Sequence, residues 1–186
     1  LRMIEGGALK GVDEIYGWHN WPAVPFGQMV CPDGIVMCGN GTFSIRVIGK
    51  GGHASQPDLC DDPVLAASAI TLALQQVVSR KLAPQNAAVL SVTSIDAPSA
   101  PTVIPETATL GGSIRVPDQA TRDTINALIK QVAEHTAASY GVQCEVDIQP
   151  RYHATINHAA QATTMRHLWQ AQWGSNSLAT DVATPI

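Results

Sequence analysis

The stretch Thr42-Phe43-Ser44-Ile45-Arg46-Val47-Ile48-Gly49-Lys50-Gly51-Gly52-His53 sets the frame for reading the whole chain. Phe43, Ile45 and Val47 alternate with Thr42, Ser44 and Arg46, which is the period of a half-buried strand. A Gly-rich loop follows, from Gly49 to Pro57. Asp62 then stands where a helix N-cap belongs, with Pro63 at the first helical position, and Leu65, Ile70, Leu74, Val77 and Val78 carry that helix to about Leu82. Ala66 and Leu72 spread its apolar surface around much of the circumference. A helix apolar on more than one face packs on more than one neighbour, here a sheet and a partner chain.

Working outward, Ala88 to Ile95 and Thr107 to Val116 read as two further strands, joined by a stiff connection holding Pro98, Pro101 and Pro105. Asp118 caps a second helix in which Ile125, Leu128, Ile129 and Val132 keep the i, i+3, i+4, i+7 rule, and Gly141 is positioned to end it. Val142, Cys144, Val146 and Ile148 alternate as a fourth strand. The order β-α-β-β-α-β is that of the split βαβ, ferredoxin-like unit, so the expected class is α+β. The ends form no complete unit of their own. Leu1 to Leu9 reads as the tail of a helix, Val12 to Trp18 as an apolar strand, Gln28 to Met37 as a hairpin turning at Pro32-Asp33-Gly34, and Ala159 to Trp173 as a helix. These are expected to be pieces of a second domain interrupted by the central one, giving segments 1–39, 40–152 and 153–186.

Composition narrows the function. Of 186 residues 45% are hydrophobic and only 14% charged, against about 25% in an average domain. Disorder is excluded, and with a net charge of -4 and no Lys/Arg cluster a nucleic-acid partner is not expected. Val64 to Val78 is interrupted by Ser68, Thr71, Gln75 and Gln76, so no membrane helix is expected either. The low charge points to surface buried against another copy or against an absent part of the same chain. The chain begins at Leu1, so the lack of a leader says nothing about compartment. Cys31, Cys38, Cys60 and Cys144 lack C-x-x-C spacing and read as reduced core thiols, which favours a cytoplasmic setting.

Three features carry chemistry. His19, within Gly17-Trp18-His19-Asn20-Trp21-Pro22, follows an apolar run and is a candidate metal ligand; a histidine hydrogen-bonded in a loop between two tryptophans is the commoner alternative. Gly49-Lys50-Gly51-Gly52-His53-Ala54-Ser55-Gln56-Pro57 carries His53 out from the end of the first strand, its glycines allowing close approach to a ligand or positive φ. The spacing fits neither a dinucleotide fingerprint nor a P-loop, and an ordinary polar loop is the alternative. Arg115, at the end of Gly112-Ser113-Ile114-Arg115, could pair bidentately with a carboxylate or simply face solvent. His135, His153, His158 and His167 fit no H-E-x-x-H type pattern and read as surface residues.

In this order the segments resemble the co-catalytic metal amidohydrolases that include hippurate hydrolases, aminoacylases and plant auxin-conjugate hydrolases. The resemblance covers essentially the whole chain. Residues 3–27, M-I-E-G-G-A-L-K-G-V-D-E-I-Y-G-W-H-N-W-P-A-V-P-F-G, resemble the segment after the family's paired glutamates. G-K-G-G-H-A-S-Q-P, D-D-P-V-L-A-A and V-S-R-K-L-A-P resemble its lid, and T-V-I-P-E-T-A-T-L-G-G-S-I-R resembles a run that in the family reads N-V-I-P, then R-G-T-x-R. The resemblance implies that His19 ligates one of two divalent metal ions, zinc with manganese or cobalt as alternatives, and that His53 reaches into a partner subunit to stabilise the tetrahedral intermediate of amide hydrolysis. It implies that Arg115 recognises the substrate carboxylate, that Gly52 lies against substrate, and that Thr102 stands where the family has Asn. The implied reaction is hydrolysis of N-acyl amino acids, hippurate-like or N-acetyl-diaminobutyrate-like, by a homodimer joined through the lid. The family's H-x-D, Cys-x-His and Glu-Glu segments and its last ligand His have no counterpart here. The chain is therefore expected to be an internal fragment of an enzyme, flanked by remnants of an α/β catalytic domain, inactive alone and binding metal weakly or not at all. The alternative is a noncatalytic dimerisation or small-molecule-binding ferredoxin-like module.

Overall fold

A computed structural model describes residues 2–179. In chain order the elements are α1 (Arg2–Glu5), β1 (Gly34–Met37), β2 (Gly39–Ile48), β3 (Gly52–His53), α2 (Pro63–Lys81), β4 (Val89–Asp96), β5 (Val103–Ile104), β6 (Thr107–Val116), α3 (Gln119–Ser139), β7 (Gln143–Tyr152), β8 (Thr155–Asn157) and α4 (Ala159–Trp173). Short 3-10 turns lie at Pro57–Leu59 and Ser175–Ser177.

The central unit is α+β, one antiparallel sheet in the order β4-β6-β2-β7 with two helices on one face. Each half is a split βαβ: β2 and β4 run the same way with β6 between them, and β6 and β7 with β2 between them. Both helices begin on aspartate caps. Asp62 Oδ1 accepts from the N–H groups of Val64 and Leu65 at 2.8 and 3.2 Å, and Asp118 Oδ1 from that of Thr121 at 2.7 Å. Gly141, at φ +73°, ends α3 in the left-handed conformation that side chains resist. Ala66, Ala67, Ile70, Leu74 and Val77 of α2 and Ile125, Ile129, Ala133 and Ala137 of α3 close over Phe43, Ile45 and Val47 of β2 and Ala108, Leu110, Ile114 and Val116 of β6. No helix among the described residues covers the opposite face of the sheet, which is polar, with Thr42, Ser44 and Arg46 of β2 and Thr109, Ser113 and Arg115 of β6.

The flanks are tied to each other. β1 pairs antiparallel with β8, and Met29 bridges Leu178 in parallel. Arg166 of α4 donates to Cys31 O and to Asp33 Oδ1, both at 2.8 Å, and Asn157 donates to Pro32 O at 2.9 Å. Two sequence expectations fail here. Val12 to Trp18 forms no strand, because no neighbouring segment among the described residues offers its backbone a ladder. Gln28 to Met37 is no hairpin: Gly34, at φ +74°, turns the chain into β1, whose partner is the distant β8. The expected helical tail at Leu1 to Leu9 is a single turn, Arg2–Glu5, while α4 has the expected bounds. The cysteines are free, as expected, but partly buried rather than in the core. Burial raises the thiol pKa of Cys31, Cys38 and Cys144 above the ordinary value, so these groups are thiols at neutral pH.

Flanks and sheet meet at two adjacent backbone crossings. Tyr152 N–H donates to Asn40 Oδ1 at 3.2 Å, and the ladder shifts register between Asn40 and Gly41. Arg122 of α3, only 4% exposed, reaches into this junction and donates to Asn40 O at 3.0 Å and to Tyr152 O at 2.8 Å. Gly39 makes the approach possible, since a Cβ there would stand 2.6 Å from Tyr152 O and 2.8 Å from the Arg122 guanidinium. One buried fork thus holds both strands where they leave the sheet.

Candidate functional site

The loop from Gly49 to Asp61 is clamped at its base. Gly49 N–H donates to Glu106 O at 2.9 Å, and Lys50 and Asp61 exchange backbone hydrogen bonds at 2.9 and 3.0 Å. From that base β3 runs out and pairs with β5, Gly52 opposite Ile104 and His53 opposite Val103, and Ala54 N–H donates to Thr102 O at 2.9 Å. Three of the expected site residues, Gly52, His53 and Thr102, therefore lie on one small ribbon. The glycines serve this packing. A Cβ at Gly51 would stand 2.6 Å from Ile104 O and one at Gly52 2.7 Å from Cys60 Sγ, while neither has the positive φ the sequence allowed for.

His53 is exposed at the ribbon's tip. Its Nδ1 receives the Ser55 N–H at 3.2 Å and lies 2.7 Å from Ser55 Oγ. Ser55 lies within the Gly49 to Pro57 run, where nothing in the spacing marks a task for it.

Arg115 lies elsewhere. It sits opposite Asn40 on β2, whereas the loop that carries His53 leaves from the other end of that strand, where Ile48 faces Thr107. Eight residues of strand separate the two ends, roughly 26 Å at 3.3 Å per residue. Ile114 and Val116 point into the core, so Arg115 stands on the helix-free face, close enough to Cys38 that its charge pulls that thiol's pKa partly back down against the effect of burial.

His19 belongs to the flanks, which join the sheet at the Arg115 end. Its exposed segment is fastened to α4 by Trp18 stacked on Trp169, ring centroids 5.6 Å apart, and by Gln161 donating to Glu14 at 2.8 Å. Trp21 lies beside the imidazole at 6.4 Å. Among the described residues no three His, Cys, Asp or Glu side chains converge. His19 is a single imidazole, and these residues alone do not fit a two-metal centre. None of the helices described is long and apolar enough to cross a membrane.

Residues 37–141 match the family described as peptidase dimerisation domain. The chain is 38% identical over 144 residues to N-acetylcysteine deacetylase of Bacillus subtilis, covering 77% of this chain and 38% of that protein. It is 34% identical over 158 residues to hippurate hydrolase of Campylobacter jejuni, covering 84% of this chain and 41% of that one. Among solved structures, the YXEP protein of Bacillus subtilis, a dinuclear metal binding peptidase from the M20 family, superimposes with a TM-score of 0.75 at 26% identity, covering all of this chain and 46% of its own. A protein of methicillin-resistant Staphylococcus aureus superimposes with a TM-score of 0.82 at 31% identity, covering 99% of this chain and 48% of its own. The chain spans about two fifths of the length of the curated relatives it matches.

Proposed function

The chain belongs to the M20 peptidase dimerisation-domain family, and from that premise we propose that it supplies the lid, residues 40–152, of a metal-dependent amidohydrolase that removes the acyl group from N-acyl amino acids. Segments 1–39 and 153–186 are then parts of the catalytic half. In this reading Arg115 holds the substrate carboxylate with a bidentate pair. His53 donates to the oxyanion that forms when the amide carbonyl is attacked, with Gly52 and Thr102 beside it. His19 is one ligand of a centre of two divalent ions, zinc by preference, whose other ligands are not among the described residues.

One observation carries the reading: Arg115 stands at one end of the four-stranded sheet, and the ribbon that carries His53 springs from the other end. A small acyl amino acid cannot touch both in one chain. It can in a homodimer where each lid presents its His53 to the site that holds the partner's Arg115. An uncharged apolar surface supports such a dimer. From Pro63 to Ser79 α2 has no charged residue, its outer face exposes Leu65 and Leu72, and beside it β4 leaves a sheet edge open. Leu74, Val78, Ala88 and Leu90 line the groove between them. Free thiols favour a cytoplasmic enzyme.

Mixing tests this directly. In the intact enzyme, with an N-acyl amino acid held well below the wild-type KM, His53→Ala and Arg115→Ala homodimers should each be nearly inactive. Subunit exchange between them should restore activity to about a quarter of wild type, since half of the dimers are mixed and each of those has one complete site. No gain on mixing would overturn the shared site.

A further inference from the structure

We infer that Ser55 is a positioning residue that fixes the tautomer and orientation of His53, so that the ring presents an N–H, and not a lone pair, at its outward nitrogen; the inference rests on the role proposed above for His53. A neutral imidazole has one protonated nitrogen and one acceptor, and the two exchange roles freely unless a neighbour decides between them. Here the neighbour is a backbone amide. The Ser55 N–H lies 3.2 Å from His53 Nδ1 and can only donate, so Nδ1 is the acceptor and the single ring proton of the neutral form resides on Nε2. Ser55 Oγ, at 2.7 Å from the same Nδ1, adds a second donor from the other part of the same residue.

The backbone around the pair is held as well. Gln56 N–H donates to His53 O at 2.9 Å, Ala54 N–H to Thr102 O at 2.9 Å, and Ser99 Oγ to Val103 O at 2.8 Å behind the ribbon. The imidazole is thus gripped on its Nδ1 edge by a tight turn, and its Nε2 edge is left to meet a ligand. An oxyanion needs donors already aimed when the charge appears. With the proton on Nδ1 instead, His53 would offer a lone pair to that charge and repel it.

The test uses two readouts. In this chain labelled with 15N-histidine, and at a pH where the ring is neutral, ring-nitrogen spectra should show His53 protonated on Nε2, with Nδ1 shifted as a hydrogen-bonded acceptor. Ser55→Ala should move the Nδ1 resonance toward the unbonded value, and Ser55→Thr, which keeps the hydroxyl, should restore it. In the intact enzyme Ser55→Ala should lower kcat about fivefold, the factor that one neutral hydrogen bond is worth, with KM unchanged and Ser55→Thr near wild type. A His53 protonated on Nδ1, or a Ser55→Ala enzyme with wild-type kcat beside a His53→Ala enzyme that is nearly inactive, would overturn the inference alone. A His53→Ala enzyme with less than about a threefold loss would instead remove the oxyanion role on which it rests.

Discussion

In the proposed site, Arg115 is the single side chain that would separate recognition from chemistry. If its guanidinium forms a bidentate pair with the substrate carboxylate, Arg115→Ala in the intact enzyme should raise KM for an N-acyl amino acid by about tenfold to a hundredfold, the loss expected of a charge-assisted pair, with kcat nearly kept. The same substrate with its carboxylate converted to an amide should be equally poor for both enzymes, and steady-state kinetics on the two substrates checks this. His53 and Arg115 stand out in the sequence as candidates because each closes a run of distinctive residues, G-K-G-G-H and G-G-S-I-R. The work of Ser55 and Arg122 does not. Ser55 acts through the geometry of a turn that spacing does not encode, and Arg122 reads as one more charged residue on the first turn of a helix, although it is buried against two carbonyls.

Among the elements, those with local signals were readable. α2 and α3 were placed by their aspartate caps, and the middles of β2 and β7 by alternation, though β2 begins three residues earlier and β7 runs four residues further than the alternating runs; cap chemistry and side-chain period are decided within a few residues of sequence. Pairing at long range was not. β1 and β8 lie more than a hundred residues apart, and nothing in Gly34-Ile35-Val36-Met37 names its partner, so a hairpin within residues 28–37 looked equally good. Val12 to Trp18 has the apolar pattern of a strand without any ladder, which shows pattern to be necessary and not sufficient. Arg122 joins α3 to the ends of two strands, and its loss should be felt in all three elements. Arg122→Met keeps the buried stem but leaves Asn40 O and Tyr152 O without their donor, and should lower stability by about 2 kcal/mol in chemical denaturation. Arg122→Lys should recover only part of this, since one ammonium cannot fork between two carbonyls.

For the whole molecule the question is assembly. Leu72 is 74% exposed in the middle of a helix face without charge, and it is not a member of the core that holds the sheet unit together. Leu72→Glu should therefore leave the fold intact, yet shift the proposed homodimer to monomer in light scattering, because an unpaired carboxylate would have to be buried at the interface. Hydrolysis should fall with dimerisation, since a monomer has no partner to lend His53; a monomer with full activity would sink the shared site. Large apolar side chains also stand in solvent on the flanks, among them Ile15, Trp18, Phe26, Leu168 and Trp173, and surface of this kind is made to be covered. The paired crossings at Asn40 and Tyr152 reach further than their role as a junction. The two ends of the unit between them are one hydrogen bond apart, so to any host it is a cassette set into a single loop, and closing a loop around such an insert adds little entropy cost. On the proposed division, the dimerising unit can therefore be exchanged, lost or retuned while the catalytic half keeps its own history, through two neighbouring backbone crossings.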